Sequence, residues 1–493
     1  MLPRSSRLSH RSRPAKRLLQ GGGAVAAAVA LTAGTAWACP PEPGYSTAAK
    51  TTAADGQGEG QGGARAGGHA SHGHRASTAA SDTESVKGVR RVGGTSDAKG
   101  AISLVFLDYG HGRGKRTIMY ATGQFGLKAY DITADPRVPK LVGQLSMPGM
   151  WETEDTDVDA ERKIIYLSRD PRAFGGNTAT GESGVYVVDA SKPESLRQLT
   201  YVQVPAGHTT TCVNDCRYLW TGGPAKASWM PADWGGRPVW VTDVRNPAKP
   251  KVDPDPIDTG RNDGKTDYTH DIQVDSDGVA WASGRGGVRG YYTSGRHYDP
   301  LKRKWRRATA FDPVPYAGGG LDEATTHSTF MHNSYRAVGS TRNQAADPRR
   351  WGNGKLLYIT EETFNEGCAN DGLLVIASLS GSYNGEGWRS TPDRKFRLNT
   401  VATWGVAGKE GSDPDPAQDD CSAHYFDVRD GVIAQSFYSQ GTRFLDVRDP
   451  TNPRQVAYYR PADAASWQPY WHGRYVYVAD NTRGIDVLEP TFR

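Results

Sequence analysis

The stretch "SQGTRFLDVRDPTNPRQVAYY" (Ser439–Tyr459) sets two short apolar runs on either side of Asp449-Pro450-Thr451-Asn452-Pro453. Proline fixes φ and removes a backbone donor, so a turn with two prolines cannot lie inside a helix or a central strand. Read alone, it is a hairpin with a heavy turn. The same order returns along the chain, in Thr117–Leu145 ("TIMYATGQFGLKAYDITADPRVPKLVGQL") and in Lys163–Pro171 with Ser183–Val202 ("KIIYLSRDP…SGVYVVDASKPESLRQLTYV"). Further copies are "RYLWTGG…GRPVWVTDVRNPAKPKV", "KLLYITEE…NDGLLVIASLSG" and "RYVYVADNTRGIDVLEP".

The recurring unit is a strand, a Gly turn, a strand ending in Asp, a Pro-rich turn and a further strand. A period of about 40 to 60 residues with four short strands per unit signals propeller blades. No stripe with helical period appears. The inner strands begin near Ile102, Glu154, His208, His270, His332, His424 and Trp467, which predicts an all-β, seven-bladed β-propeller. The last copy ends one strand short at "GIDVLEPTFR", and "VKGVRRVGG" (Val86–Gly94) stands ahead of the first copy. That N-terminal strand is expected to close the ring in the last blade and remove the open edge of a linear array. The fourth copy, "GVAWASGRGGVRGYYT", lacks the Pro turn and leaves its blade edges undefined.

"GLKAYDITADPRVPKLVG", "GVYVVDASKPESLRQLT" and "TRFLDVRDPTNPRQVAYY" resemble the LVIVD-repeat family of secreted bacterial β-propellers. The resemblance covers most of residues 86–493 and implies the fold. It implies little about activity, because propellers host enzymes and binding platforms alike.

Ahead of the propeller (85–493) two segments are expected. Residues 1–38 read as a signal peptide, with basic Arg4, Arg7, Arg11, Arg13, Lys16 and Arg17, an apolar Gly21–Gly34 and a small-x-small end at Ala36-Trp37-Ala38. Residues 39–84 are low-complexity and read as a disordered linker, in which His69, His72 and His74 are scattered solvated side chains. Cys39 at the cleavage point keeps open a lipoprotein, acylated there, beside a free secreted protein. Export predicts an oxidising compartment. Cys212 and Cys216 bracket a turn and are expected to pair, as are Cys368 and Cys421. The spacing lacks the C-x2-C geometry of a zinc site.

The net charge of +5 is small for 493 residues and is concentrated at the N-terminus, so no nucleic-acid partner is expected. No P-loop, H-E-x-x-H or G-x-S-x-G is present. The chemistry-bearing positions lie at the inner-strand starts. Glu154, His270 and His424 each stand four residues before a valine (Val158, Val274, Val428), His208 stands five before Val213, and His332 holds the corresponding place in "FMHNSYRAV". Residues at one register of successive inner strands form a ring at the propeller axis. His208, His270, His332, His424 and Glu154 are therefore candidate ligands for Zn, Cu or Fe, with Glu154 also a candidate general base. His327, Glu361 and Glu362 are candidates to stand beside them. A single inner-strand His would only hydrogen-bond in a polar channel; four at one register point to a site. Selenium-binding and methanethiol-oxidase propellers, which are distantly similar, also imply His around a metal in this part of the fold.

Two surface stretches complete the reading. Arg296–Phe311 ("RHYDPLKRKWRRATAF") is basic and aromatic, and Trp229–Trp240 is Trp-rich. Each is expected to be structural, the first as an exposed loop and the second as packing between blades. The function expected first is a secreted or cell-surface, monomeric binding platform for an extracellular protein, cell-wall polymer or small molecule, touching a membrane only through a lipid at Cys39. The alternative is a metal-dependent extracytoplasmic enzyme built on the His ring.

Overall fold

Ser439–Tyr459 runs from the turn before the third strand of the sixth blade into its fourth strand. The computed structural model describes residues 84–492 except 124, 148–153, 171–182, 224–237, 260–268, 285–286, 321–330, 337–353, 363–371, 380–381, 384–385, 388, 391–395, 398 and 413–420. The expected signal peptide and linker, Cys39, His327 and Cys368 lie outside these residues.

Seven antiparallel sheets form the blades of a β-propeller. From the axis outward, blade 1 is Ala101–Tyr109, Arg116–Gly123, Gly126–Asp131 and Lys140–Leu145. Blade 2 is Asp157–Asp159, Ile164–Arg169, Gly184–Asp189 and Arg197–Gln203, and blade 3 is Thr209–Val213, Tyr218–Gly222, Pro238–Asp243 and Lys251–Val252. Blade 4 is Thr269–Val274, Val279–Gly284, Gly287–Tyr292 and Val314–Gly320, and blade 5 is Met331–Arg336, Leu356–Glu361, Leu374–Ser378 and Asn399–Trp404. Blade 6 is Phe426–Arg429, Val432–Ser436, Thr442–Asp446 and Arg454–Arg460; blade 7 is Ser466–His472, Tyr475–Asp480 and Gly484–Pro490.

The second strand of each blade reads as a continuous apolar run because both of its faces are covered by neighbouring blades. In Ile164–Leu167, Ile165 and Leu167 pack towards blade 1, while Ile164 and Tyr166 pack towards blade 3. Val476 and Val478 likewise face blade 6, and Tyr477 and Ala479 face blade 1. The core is thus seven inter-blade layers, one of them joining blade 7 to blade 1. Each buried Leu, Ile or Val in these layers contributes about 1.5–3 kcal/mol relative to exposure.

Ring closure is richer than expected. Val89–Thr95 pairs antiparallel with Gly484–Pro490 and supplies the missing fourth strand of blade 7. The preceding Ser85–Lys87 does not join that sheet; it pairs with Arg454–Arg460 as a fifth strand on blade 6. Gly88, at φ +68, turns the chain between the two. One N-terminal segment therefore fastens two blades, and both outer edges are covered.

The Pro-rich turns have a packing role. The Arg137 carbonyl in the blade 1 turn accepts from Gly94 N (3.0 Å) on the closing strand. It lies where a Cβ on Gly93 would stand, and the Pro193 carbonyl of the blade 2 turn lies likewise over Gly143 of blade 1. Each turn seats against a glycine on the outer strand of the preceding blade.

Blade 4 lacks the Pro turn because its third and fourth strands are separated by an insertion that forms its own hairpin, Arg296–Asp299 with Lys304–Arg307. This hairpin is the basic, aromatic stretch of the sequence. Arg296, Tyr298, Trp305 and Arg307 face solvent on one side of it; on the other, His297 stacks on Tyr292 and Arg306 pairs with buried Asp299. Trp240 is buried between blades 2 and 3, as expected for packing; residues 229–237 lie outside the described set.

Candidate metal centre

The residues expected at the axis are brought together by a recurring irregularity. The pairing of the first two strands skips Ile102 in blade 1, His270 in blade 4, His332 and Asn333 in blade 5, and Trp467 in blade 7. A β-bulge inserts an unpaired residue and re-aims its side chain. Elsewhere the same position falls just ahead of the inner strand. His208 precedes Thr209–Val213 with its N–H on the Gly222 carbonyl (3.1 Å), and His424 precedes Phe426–Arg429 with its N–H on the Ser436 carbonyl (3.0 Å). Glu154 stands ahead of Asp157–Asp159. All five predicted ligands are fully buried, and Ile102, Tyr438 and Trp467 form an apolar cluster among themselves.

Glu154 is the hub. Its Oε2 lies 3.3 Å from His208 Nε2, 3.3 Å from His270 Nε2 and 3.5 Å from His332 Nε2, while Oε1 lies 3.7 Å from His424 Nε2. Neighbouring rings are 4.0–4.4 Å apart, centroid to centroid, from His208 through His270 and His332 to His424. Glu362 Oε1 lies 4.0 Å from His424 Nε2 and accepts from the Tyr438 hydroxyl at 2.5 Å.

The outward nitrogens fix which way the rings present themselves. His208 Nδ1 donates to Asp170 Oδ2 (3.0 Å), His270 Nδ1 to the His332 carbonyl (3.0 Å) and His424 Nδ1 to the Trp467 carbonyl (2.8 Å). A carbonyl or carboxylate only accepts, so Nδ1 carries the hydrogen in each ring and Nε2 is left to face the centre. Thr209 Oγ1 donates to the His270 carbonyl and Ser168 Oγ to the His208 carbonyl (2.8 Å), which holds the main chain in place. Carbonyl and carboxylate partners on the far nitrogen are the usual support of metal-bound imidazole.

Charge at the centre follows from burial and proximity. Burial alone would raise the Glu154 carboxyl, but attraction from His208, His332 and His424 outweighs it and holds the group well below the usual carboxylate range. Burial, reinforced by the rings beside it, holds His270 well below its ordinary value and pushes His332 down to about 3. Burial also works against a charged His424, yet Glu154, Glu362 and the Trp467 carbonyl outweigh it and raise that ring. Burial lifts the Glu362 and Asp271 carboxyls to about 7.

The arrangement can hold a metal. Glu154, His270 and His332 present ligand atoms within 4.8 Å of one another, as do His332, Glu362 and His424. Of the residues expected to stand nearby, Glu362 reaches the centre. Glu361 is buried with its main-chain carbonyl facing Ser422 Oγ at 3.5 Å. Two participants were not expected: Asp170 and Tyr438. Aligning "IIYLSRD" with "LLYITEE" sets Asp170 of blade 2 on Glu362 of blade 5, each following the second strand. That correspondence was a readable signal.

The Cys212–Cys216 disulfide is formed, with Cα atoms 4.5 Å apart. Cys421 is disulfide-bonded as well; Cys368, its expected partner, lies outside the described residues.

No protein-family model and no curated protein matches the chain. Solved structures resemble it in fold. A candidate 6-phosphogluconolactonase of Bacteroides fragilis aligns at 12% identity over 80% of this chain and 92% of its own, with a TM-score of 0.46. The periplasmic gluconolactonase of Pseudomonas aeruginosa aligns at 15% over 78% and 90%, TM-score 0.45. The C-terminal WD40 domain of Sif2 aligns at 10% over 82% and 99%, TM-score 0.43. Nothing about the site is carried over from them.

Proposed function

We propose that this chain is an extracytoplasmic propeller with a buried transition-metal centre at its axis, and that it is a metal-dependent enzyme acting on a small molecule. The observation that carries this reading is the convergence of three buried imidazole nitrogens on one carboxylate oxygen: Glu154 Oε2 lies 3.3 Å from His208 Nε2, 3.3 Å from His270 Nε2 and 3.5 Å from His332 Nε2. His208 and His270 both commit Nδ1–H outward, and in the metal-free protein a single proton shared between the two Nε2 atoms accounts for their 2.7 Å approach. Metal–nitrogen bonds of about 2.0–2.1 Å set neighbouring ligand atoms about 2.9–3.4 Å apart. Glu154 Oε2 meets that spacing to His208 and His270 and comes close to it at His332. Three imidazoles and a carboxylate suit Zn, Cu or Fe, any of which would supply Lewis-acid activation of a bound oxygen and the last two electron transfer as well.

The chain's own residues supply the rest. Asp170 and the carbonyls of His332 and Trp467 orient the rings, and Glu154 balances charge. Full burial of the ligand atoms restricts a substrate to a molecule small enough to travel along the axis. The Cys212–Cys216 disulfide supports an oxidising compartment.

Elemental analysis of purified protein tests the reading. Metal retained through gel filtration is expected in the wild type and at lower stoichiometry in a His208→Ala/His270→Ala double variant. Metal-free protein that takes up no added Zn²⁺, Cu²⁺ or Fe²⁺ overturns it. The platform reading draws on a separate observation, the solvent-facing Arg296, Tyr298, Trp305 and Arg307 of the blade 4 hairpin, with Trp305 61% exposed. Cell-wall pull-down that survives Tyr298→Ala/Trp305→Ala would remove that support.

A further inference from the structure

We infer that the axis holds two cation sites bridged by the Glu154 carboxylate, the second built by His424 and Glu362. This rests on the metal-centre reading above and divides it. The two oxygens of Glu154 address different partners. Oε2 serves His208, His270 and His332, at 3.3, 3.3 and 3.5 Å. Oε1 is the oxygen that faces His424, at 3.7 Å. Glu154, His270 and His332 already form one group whose ligand atoms lie within 4.8 Å of one another, with His208 on the same carboxylate oxygen.

His424 is then left over, and it is a built ligand rather than a bystander. It is fully buried, and its Nδ1 is anchored on the Trp467 carbonyl. Its ring is packed by Tyr438, centroid distance 4.7 Å, and by Trp467 at 5.0 Å. Its Nε2 makes no hydrogen bond among the described residues. What it faces is oxygen: Glu154 Oε1 at 3.7 Å and Glu362 Oε1 at 4.0 Å. Those distances are too long for hydrogen bonds and leave a gap between the nitrogen and the two oxygens that a cation would fill. A carboxylate shared through both oxygens is the usual bridge between ions about 3.5–4 Å apart.

Glu362 is held for this place. Tyr438 donates to its Oε1 at 2.5 Å, an orienting contact of the kind that supports ligating carboxylates. Tyr438 itself sits at φ +42, a conformation a bulky side chain rarely adopts, and its carbonyl is tied to Ser466 N and Gly441 N, each at 3.0 Å. His332 stands within 4.8 Å of both Glu362 and His424, so the second group offers three protein ligands, and three leave a position for substrate.

The test is stoichiometry, with Zn²⁺ as probe. Metal-free full-length protein is titrated with Zn²⁺, freed of excess by gel filtration and analysed for metal per chain. Two equivalents are expected in the wild type and one in each of Glu362→Gln and His424→Gln. Protein loaded with Mn²⁺ should show a spin-coupled resonance in the wild type and an isolated-ion signal in Glu362→Gln. A wild type that saturates at one equivalent overturns the second site and leaves the metal centre standing. No uptake at all overturns both. Two equivalents retained in both variants overturn the assignment of Glu362 and His424. If either variant fails to fold, the wild-type stoichiometry and its Mn²⁺ resonance still decide.

Discussion

His208 and His270 meet nitrogen to nitrogen at 2.7 Å, and each has its other ring nitrogen engaged on the outside. The pair is thus pre-oriented by its outer contacts. For His208 that contact is Asp170, buried in blade 2 at the end of the second strand. Asp170→Asn keeps an acceptor in place but removes the charge that makes the imidazole a stronger donor of its lone pair. Metal affinity, read by competition with a chelator, should fall about 10–100-fold. The thermal midpoint of the metal-free protein should move little by comparison. An unchanged affinity would remove Asp170 from the supporting contacts.

The metal-free protein should be acid-sensitive through His332. This ring titrates near 6.5 when unfolded and is pushed down to about 3 by burial and by His424 beside it. Between those values the unfolded chain binds a proton that the folded chain refuses. Stability is therefore complete above about 6.5 and declines as pH falls towards 3, by at most about 1.4 kcal/mol per pH unit from this group. His424 works in the opposite sense: its raised value adds stability at low pH that is lost as pH rises through it. Urea unfolding of metal-free wild type and His332→Gln at pH 7.5 and 5.0 separates them. The variant should lose about 2 kcal/mol less than the wild type over this interval. Equal losses would mean that His332 is not the group refusing the proton.

The ring of ligands was legible because a propeller repeats its register. Glu154, His270 and His424 stand four residues before a valine, His208 five, and His332 at the corresponding strand entry, and common position in successive blades means common position at the axis. The bulges that aim His270 and His332 inward were not legible, since an unpaired residue in a strand leaves the apolar pattern around it unchanged. Asp170 and Glu362 were half-legible. They end a second strand, where a carboxylate reads as ordinary turn chemistry unless the two copies are compared. The split of the N-terminal segment between blades 6 and 7 escaped for a related reason. Ser85–Lys87 is too short to show an alternation, and only Gly88 marks the break.

Closure depends on glycines that admit a neighbour's backbone. A Cβ at Gly93 would stand inside the Arg137 carbonyl oxygen, and one at Gly143 inside that of Pro193. In both cases the obstacle is main chain, which cannot swing aside as a side chain does. Gly93→Ala and Gly143→Ala should each cost about 1–3 kcal/mol by displacing the turn of the following blade. Gly114, in the exposed loop of blade 1, has nothing within 4 Å of where its Cβ would stand; it is the control and should tolerate Ala. Chemical denaturation midpoints of the three variants decide; equal midpoints would mean that the turns rest on the sheet without holding it.

The Cys212–Cys216 disulfide closes the tight turn between the first two strands of blade 3. Asn214, Asp215 and Cys216 have φ of +53, +55 and +51, three successive left-handed residues without a glycine. Such a run is costly on its own, and a covalent link across it excludes the extended alternatives of the unfolded chain. The turn is also tied to blade 2, through Cys212 N on Asp157 Oδ2 (2.7 Å) and Arg162 on the Cys216 carbonyl (2.7 Å). For so short a loop the link should be worth about 2 kcal/mol. A Cys212→Ser/Cys216→Ser variant should therefore unfold at lower denaturant, and the wild type should shift at least as far under reducing conditions, which open the Cys421 disulfide as well. Metal content should stay at the wild-type level, because the turn lies at the far end of the inner strand from His208. Loss of metal together with the disulfide would instead join this turn to the centre at the axis.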